Sequence, residues 1–582
     1  MMNDMFLDGL LTKWRSERTP RPGDFPSHAS FERRFFTAVR IEKQKRPRKT
    51  PRPSGLVNLI GKIRPAFQLP EGVCASYSLA PGALFAARTA SRIHCCCSPA
   101  RGLFDDAPIP GSAPVFDTEE YKTVGERPFV AVTTNPLSTF GADVDTAMYA
   151  DLRRMVLKED RLPPPEAVRL EELINYFSYD YPQPEGDSVM RPHFASGAAP
   201  WAPERRLLLI GVQTPVPDRE KLPPSHYVFL IDNSGSMEDV FPMVREAMTA
   251  LARNLRSGDR VSMVTYGGGV RVLLEGCSDV SQVCEAIAKL EAEGYTPGGE
   301  GIQTAYALAE KHFIKGGNNR IVLVTDGDFN VGASSEADLV DMVKAKRDTG
   351  IYLTVAGCGM GNYKDNKLKM LANKGNGNAF YLDSMREAKR VFVHGMTGNM
   401  YALARDVKFQ VEFNPARVFA YRLLGYELRD MTDRDFRDDK KESGAVGQGQ
   451  QLTALYEIIP ADAAEAVKNA AVPEMPPLKY QSASASNGSE LLTFRIRWRE
   501  PQGKKAARED AFSVPALPPE DENWNWAAAV AEAGLALRHS DFAPDTSLEH
   551  AAKQAQQHLG EDPSGDRAEF LLLLRRAAEL SR

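Results

Sequence analysis

The sequence predicts an α/β protein whose main domain is a doubly wound, mostly parallel sheet, and three observations carry that expectation. Between residues 226 and 400, short strand-forming runs alternate with helical stretches. The runs Val228-Phe-Leu-Ile231 and Ile321-Val-Leu-Val324 are apolar without alternation, which marks parallel strands covered on both faces. The first run leads straight into Asp232-Asn-Ser-Gly-Ser236, a loop that presents a carboxylate and two hydroxyls at alternate positions. In open α/β sheets, ligands bind beyond the carboxyl ends of strands, where this loop falls.

Taken in order, residues 1–110 read as a basic, Pro-broken arm, including Arg40-Ile-Glu-Lys-Gln-Lys-Arg-Pro-Arg-Lys-Thr-Pro-Arg52. Residues 111–204 read as a mainly helical segment. Thr146 to Leu157 places Met148, Leu152, Met155 and Val156 on one face, and Pro165 opens a second helix with Val168, Leu170, Leu173, Ile174 and Phe177 apolar. Residues 205–400 form the α/β domain together with a preceding strand, 206–213, whose alternative packing is against later strands. Strands are expected at 226–231, 261–265, 270–274, 320–325, 351–356 and 379–382. Helices are expected near 239–256, 279–292, 301–313, 335–348, 364–373 and 385–397. Residues 401–582 form a β-rich and helical C-terminal domain, where the strands alternate as in an antiparallel sheet. They fall at 407–413, 420–426, 451–459 and 491–498, with a break at 461–490 and a helical tail from Trp524 to Leu580.

Bulk properties narrow the function. A chain of 582 residues is too long for one core. The net charge of −5 hides a split: residues 1–104 hold 18 Lys/Arg against 7 Asp/Glu, which leaves the remainder acidic. Nucleic acid is therefore not an expected partner. Seven cysteines without regular spacing make no disulfide framework. Three of them, Cys95-Cys96-Cys97, follow His94, but adjacent residues cannot all turn toward one ion. No stretch approaches the roughly 18 uninterrupted apolar residues of a membrane span. The first residues, with Asp4 and Asp8, do not read as a signal peptide, and cytoplasm and envelope both stay open.

Three loops leave strand ends with oxygen-rich side chains. The first carries Asp232, Ser234 and Ser236, the second Thr296 within Glu293-Gly-Tyr-Thr-Pro297, and the third Asp326 within Thr325-Asp-Gly-Asp-Phe-Asn330. Two carboxylates and three hydroxyls at one sheet edge suit Mg²⁺, with Mn²⁺ or Ca²⁺ as alternatives. These residues resemble the metal site of the von Willebrand factor type A family, with its Asp-x-Ser-x-Ser pattern followed by Thr and Asp. The resemblance implies that Ser234, Ser236 and Thr296 contact the metal directly or through water. It implies that Asp232 and Asp326 act mostly through water, and that an Asp or Glu of a protein partner fills the open position. Two features depart from the expected pattern: Asn233 fills a variable slot, and Tyr295 stands where a small residue is expected.

The resemblance extends along roughly residues 129–582. Asn135-Pro-Leu-Ser-Thr-Phe140, Asp143-Val-Asp-Thr146 and Glu171-Glu-Leu-Ile-Asn-Tyr-Phe177 are similar to the segment preceding the A domain in a bacterial subgroup. Thr453-Ala-Leu-Tyr-Glu-Ile458 is similar to its C-terminal domain of unknown function.

Competing chemistry is weaker. Gly357-Cys-Gly-Met-Gly361 lacks the full dinucleotide-binding spacing and reads as a tight turn, with Cys358 a small packed residue. No phosphate-binding Gly-rich loop, His-Glu-x-x-His or Gly-x-Ser-x-Gly string occurs. A Mg²⁺-dependent hydrolase using Asp232, Asp326 and Asp328 is the main rival, but it needs a base and no His lies in these loops. An envelope protein with a purely stabilising metal is the third reading. The expectation is therefore a non-enzymatic, metal-dependent binder.

Overall fold

The computed structural model describes residues 121, 123, 125–294, 298–326, 336–359, 365–463, 488–502 and 505–582. The expected basic arm and most of the break at 461–490 lie outside the described residues.

Among the described residues, strands Val130–Ala131 (β1) and Leu137–Gly141 (β2) come first, then helices Ala147–Leu157 (α1) and Leu170–Ile174 (α2). Helix α1 buries Met148, Leu152, Met155 and Val156, as its spacing predicts. The helix expected from Pro165 is only a 3₁₀ turn, Pro165–Ala167, because Val168 and Arg169 take extended angles and helix restarts at Leu170. Strands Arg191–Ala199 (β3) and Ala202–Gln213 (β4) follow, so this segment carries more strand than its helical reading foresaw.

The α/β domain then runs Ser225–Asp232 (β5), Phe241–Ala252 (α3), Arg260–Tyr266 (β6), Arg271–Cys277 (β7), Val280–Ala288 (α4) and Gly298–Lys311 (α5). It continues with Asn318–Thr325 (β8), Glu336–Asp348 (α6), Ile351–Cys358 (β9), Asp365–Lys374 (α7), Ala379–Leu382 (β10), Met385–Lys389 (α8) and Met396–Met400 (α9). A π turn over Arg390–His394 breaks what the sequence suggests as one helix, 385–397. The sheet order is β10-β9-β8-β5-β6-β7, parallel throughout except for the antiparallel edge strand β7. Tyr227, Phe229, Ile231 and Val322 enter the core on one face with α3, α4 and α8. Val228, Leu230, Ile321 and Leu323 enter the other with α5, α6 and α7. Burial on both faces explains why the strands lack alternation. Each fully buried Leu, Ile or Phe contributes about 1.5–3 kcal/mol.

The rest of the chain comprises Ala402–Phe413 (β11), Val418–Leu424 (β12), Asp430–Met431 (β13), Val446–Gly447 (β14), Gln451–Pro460 (β15), Leu492–Arg499 (β16) and Arg508–Val514 (β17). Helices Glu522–Arg538 (α10), Leu548–Gln557 (α11) and Asp566–Leu580 (α12) close it. Two antiparallel sheets result, β1-β12-β15-β4-β3 and β13-β2-β11-β16-β17, the latter extended by β14 on β11. Leu208, Ile210, Tyr456 and Ile458 from one sheet meet Phe140, Phe409, Phe494 and Ile496 from the other. Leu207, Leu209 and Leu455 face the opposite way, where Trp524, Trp526 and Phe570 of the terminal helices cover them. Strand β4 pairs with β3 and β15, so the strand that the sequence reading attached to the α/β domain sits in this sandwich. The α/β domain is inserted in the chain between β4 and β11, two strands of the sandwich.

Candidate metal centre

Strand β5 ends on Asp232, and its parallel neighbours set what surrounds that carboxylate. On one side Ile231 registers with Val324, so Thr325 and Asp326 leave β8 beside it. On the other side Asp232 itself registers with Tyr266 of β6. Both carboxylates are buried, Asp232 at 3% and Asp326 at 5% exposure, whereas Ser236 is exposed and Ser234 half-buried.

Local hydrogen bonds shape the first loop. The Ser234 amide donates to Asp232 Oδ1 at 2.9 Å, and the Thr325 hydroxyl donates to Oδ2 at 3.2 Å. Ser234 Oγ lies 3.1 Å from Ser236 Oγ, which puts the two hydroxyls side by side. The chain then makes a 3₁₀ turn, Gly235–Met237, before α3. The second loop is pinned against the first: the Gly235 amide donates to Gly294 O at 3.3 Å and the Glu293 amide to Asn233 O at 2.6 Å. Gly267 approaches this turn so closely that glycine is required, since a Cβ there would stand 2.6 Å from the Asn233 carbonyl carbon.

The electrostatics follow from burial. Desolvation pushes the Asp232 carboxyl above its ordinary range, and Asp326 pushes it further; hydrogen bonding from Ser234 opposes both. Burial, Asp232 and Asp326 raise the Tyr266 phenol, so it stays neutral beside Asp232. Cys358 is fully buried, with Sγ 3.4 Å from Thr325 O, and its thiol is pushed up by burial and by both aspartates. A reactive thiolate needs the opposite environment.

Of the five residues expected to ligate a metal, the structure brings Asp232, Ser234, Ser236 and Asp326 to one sheet edge. Thr296 lies outside the described residues, as does Asp328 of the rival hydrolase reading. Among the described residues no group of three His, Cys, Asp or Glu side chains is placed to hold a metal ion. The donors at this edge are therefore two buried carboxylates and two hydroxyls, all of them hard oxygens. That set fits a small hard cation. Sequence reasoning missed Tyr266 as a neighbour of Asp232; the signal was available only as strand register.

The von Willebrand factor type A domain model matches residues 227–393, a von Willebrand factor model matches 115–209, and a model of the C-terminal part of uncharacterized protein YfbK matches 398–580. YfbK of Escherichia coli K12 is 38% identical over 472 residues, covering 78% of this chain and 80% of that protein. A UPF0353 protein of Mycolicibacterium vanbaalenii is 27% identical over 194 residues, covering 29% of this chain and 58% of that protein. Among solved structures, a von Willebrand factor type A protein from Catenulispora acidiphila shares 15% identity with a TM-score of 0.37, covering 67% of this chain and 98% of that one. Over most of both chains, then, the similarity to YfbK is that of one family: this chain belongs to the bacterial von Willebrand factor type A proteins that carry a YfbK-type C-terminal domain.

Proposed function

We propose that this protein captures a protein partner through a metal, Mg²⁺ held by Asp232, Ser234, Ser236, Thr296 and Asp326, and catalyses no reaction. The family supports a protein-interaction or metal-site role in general, and the finer reading rests on the edge described above. The carrying observation is the pairing of two buried aspartates on adjacent strand ends with two serine hydroxyls at the surface side of the same edge. When bound, the cation supplies an open coordination position that a partner's Asp or Glu can enter. The protein's own residues divide the work. Asp232 and Asp326 provide the charge that attracts the ion. Ser234 and Ser236 offer neutral oxygens that leave it electrophilic. The Ser234 amide and the Thr325 hydroxyl hold Asp232 in place by donating to it.

The test is a pull-down with and without EDTA, using the wild-type protein beside Asp232→Ala. Proteins recovered by wild type with Mg²⁺, and lost with EDTA or in the variant, are the expected result. Identical recovery in every lane overturns the binding reading. Turnover of a phosphoester by the Mg²⁺-loaded protein, abolished in Asp232→Ala, would establish the hydrolase instead.

A further inference from the structure

A second carboxylate cluster lies away from the candidate metal centre, built from the two strings before the A domain. Asp143, Asp145, Glu171 and Glu172 are all buried, none above 6% exposure. Three of them have clear partners. Arg429 Nε donates to Asp143 Oδ2 at 2.7 Å and its terminal nitrogen lies 3.5 Å from Asp145 Oδ2. The Ala379 amide donates to Asp145 Oδ1 at 3.0 Å. Lys369 of α7 pairs with Glu172, whose other oxygen accepts from the Met148 amide at 3.0 Å. Arg429 also donates to Asn373 Oδ1 at 2.9 Å. These bonds tie the α/β domain, through Lys369, Asn373 and Ala379, to the α1–α2 segment and to the turn after β12.

Glu171 is the exception. It is 1% exposed, and among the described residues neither carboxyl oxygen has a hydrogen-bond partner. The backbone of Gly425, at φ +75°, presses against it so closely that a Cβ there would stand 2.6 Å from Oε2. The charged and titratable groups around it come from every neighbouring element. Asp143 precedes α1, Arg169 caps the start of α2 and Glu172 lies on it, and Tyr426, Glu427 and Arg429 form the turn. Arg538 of α10 neutralises Glu427 at 2.8 Å. An ionised carboxylate without a donor in such a place is strongly disfavoured, so the group keeps its proton.

We propose that Glu171 is a proton-holding latch: neutral, it seals the α1–α2 segment against the Gly425–Arg429 turn; ionised, it forces that junction, and the α/β domain docked on it, to loosen. Burial, with Glu427, Asp143 and Glu172 adding repulsion, raises its carboxyl from 4.5 to about 7, opposed by Arg169. A carboxyl raised in the folded state leaves stability intact below its ordinary value. Stability then falls as pH climbs from 4.5 to about 7, with no further loss above. Burial and Asp143 raise Asp145 in the same sense, to about 8, so part of the alkaline loss is independent of Glu171.

The test compares melting temperatures of the full chain at pH 5 and pH 8.5 for wild type and Glu171→Gln. The wild-type midpoint should fall by roughly 5 °C more than the variant's across that interval. Parallel falls in the two proteins overturn the proposal. If Glu171→Gln does not fold, hydrogen exchange of Asp145→Asn, which removes the other raised carboxyl of the junction, decides. After correction for intrinsic rates, amides of Leu368–Lys374 and Glu427–Met431 should exchange faster at pH 8.5 than at pH 6, while those of β8 do not. Equal corrected exchange at both pH values overturns the latch.

Discussion

Two clusters of acidic side chains stand in one molecule and are answered in opposite ways. At the carboxyl end of β5, the Asp232 carboxylate meets neutral donors, the Ser234 amide and the Thr325 hydroxyl, beside two serine hydroxyls at the surface. At the junction of the inserted domain with its surroundings, Asp143, Asp145 and Glu172 meet the charged side chains of Arg429 and Lys369. The residue types are the same and the burial is similar. What differs is the chemistry the fold sets against them. A cluster given arginine and lysine is a clasp. A carboxylate held by neutral donors, with hydroxyl oxygens at the mouth, is suited to a cation from solvent.

The largest expected effect breaks the clasp. Arg429→Ala leaves Asp143 and Asp145 buried without their guanidinium and removes the bond to Asn373. Removing one partner of a buried pair costs about 3–5 kcal/mol. Urea unfolding followed by circular dichroism should show a loss of that size. A change below about 1 kcal/mol would mean the clasp is not what holds the junction.

The next effect separates the two clusters by adding an ion. Saturating Mg²⁺ at about a hundredfold excess over its dissociation constant should stabilise the wild-type protein by about 2.7 kcal/mol. Asp232→Asn should abolish that gain. It should also leave the metal-free protein at least as stable as wild type, since it removes one of two buried carboxylates that repel each other. Thermal melts with and without Mg²⁺ read both outcomes. An equal Mg²⁺ shift in Asp232→Asn would place the ion elsewhere.

The two clusters were also unequally legible in the sequence. The α/β strands and their alternation with helices are local signals: the apolar runs at 226–231 and 320–325 become β5 and β8 with ends shifted by one or two residues. The Asp232 loop follows from them, because a parallel sheet puts its loops at a known edge. Tyr266 did not, because its place beside Asp232 depends on β5–β6 register. The clasp was invisible for the same reason on a larger scale. The strings holding Asp143, Asp145 and Glu171 stood out, yet Arg429 comes from 286 residues beyond Asp143. Nothing periodic announces a pairing across an inserted domain. The 206–213 strand belongs to this class too: its own pattern says strand, but its partner β15 is known only from the fold.

The smallest effect on stability tests the mouth of the candidate metal centre. Ser234→Ala and Ser236→Ala each remove one hydroxyl of a pair that lies 3.1 Å apart, one half-buried and one exposed. Hydroxyls at such a surface contribute little to folding, so stability should change by no more than about 1 kcal/mol. Each removes a neutral oxygen from the proposed coordination shell, so Mg²⁺ affinity by titration calorimetry should drop about tenfold or more, the loss of roughly one 1.4 kcal/mol ligand contribution. Arg429→Ala should do the reverse: large destabilisation, with Mg²⁺ affinity of the folded fraction unchanged. If the serine variants bind Mg²⁺ as wild type does, the hydroxyls serve only the turn that leads into α3, and the contrast between the two clusters reduces to their place in the fold.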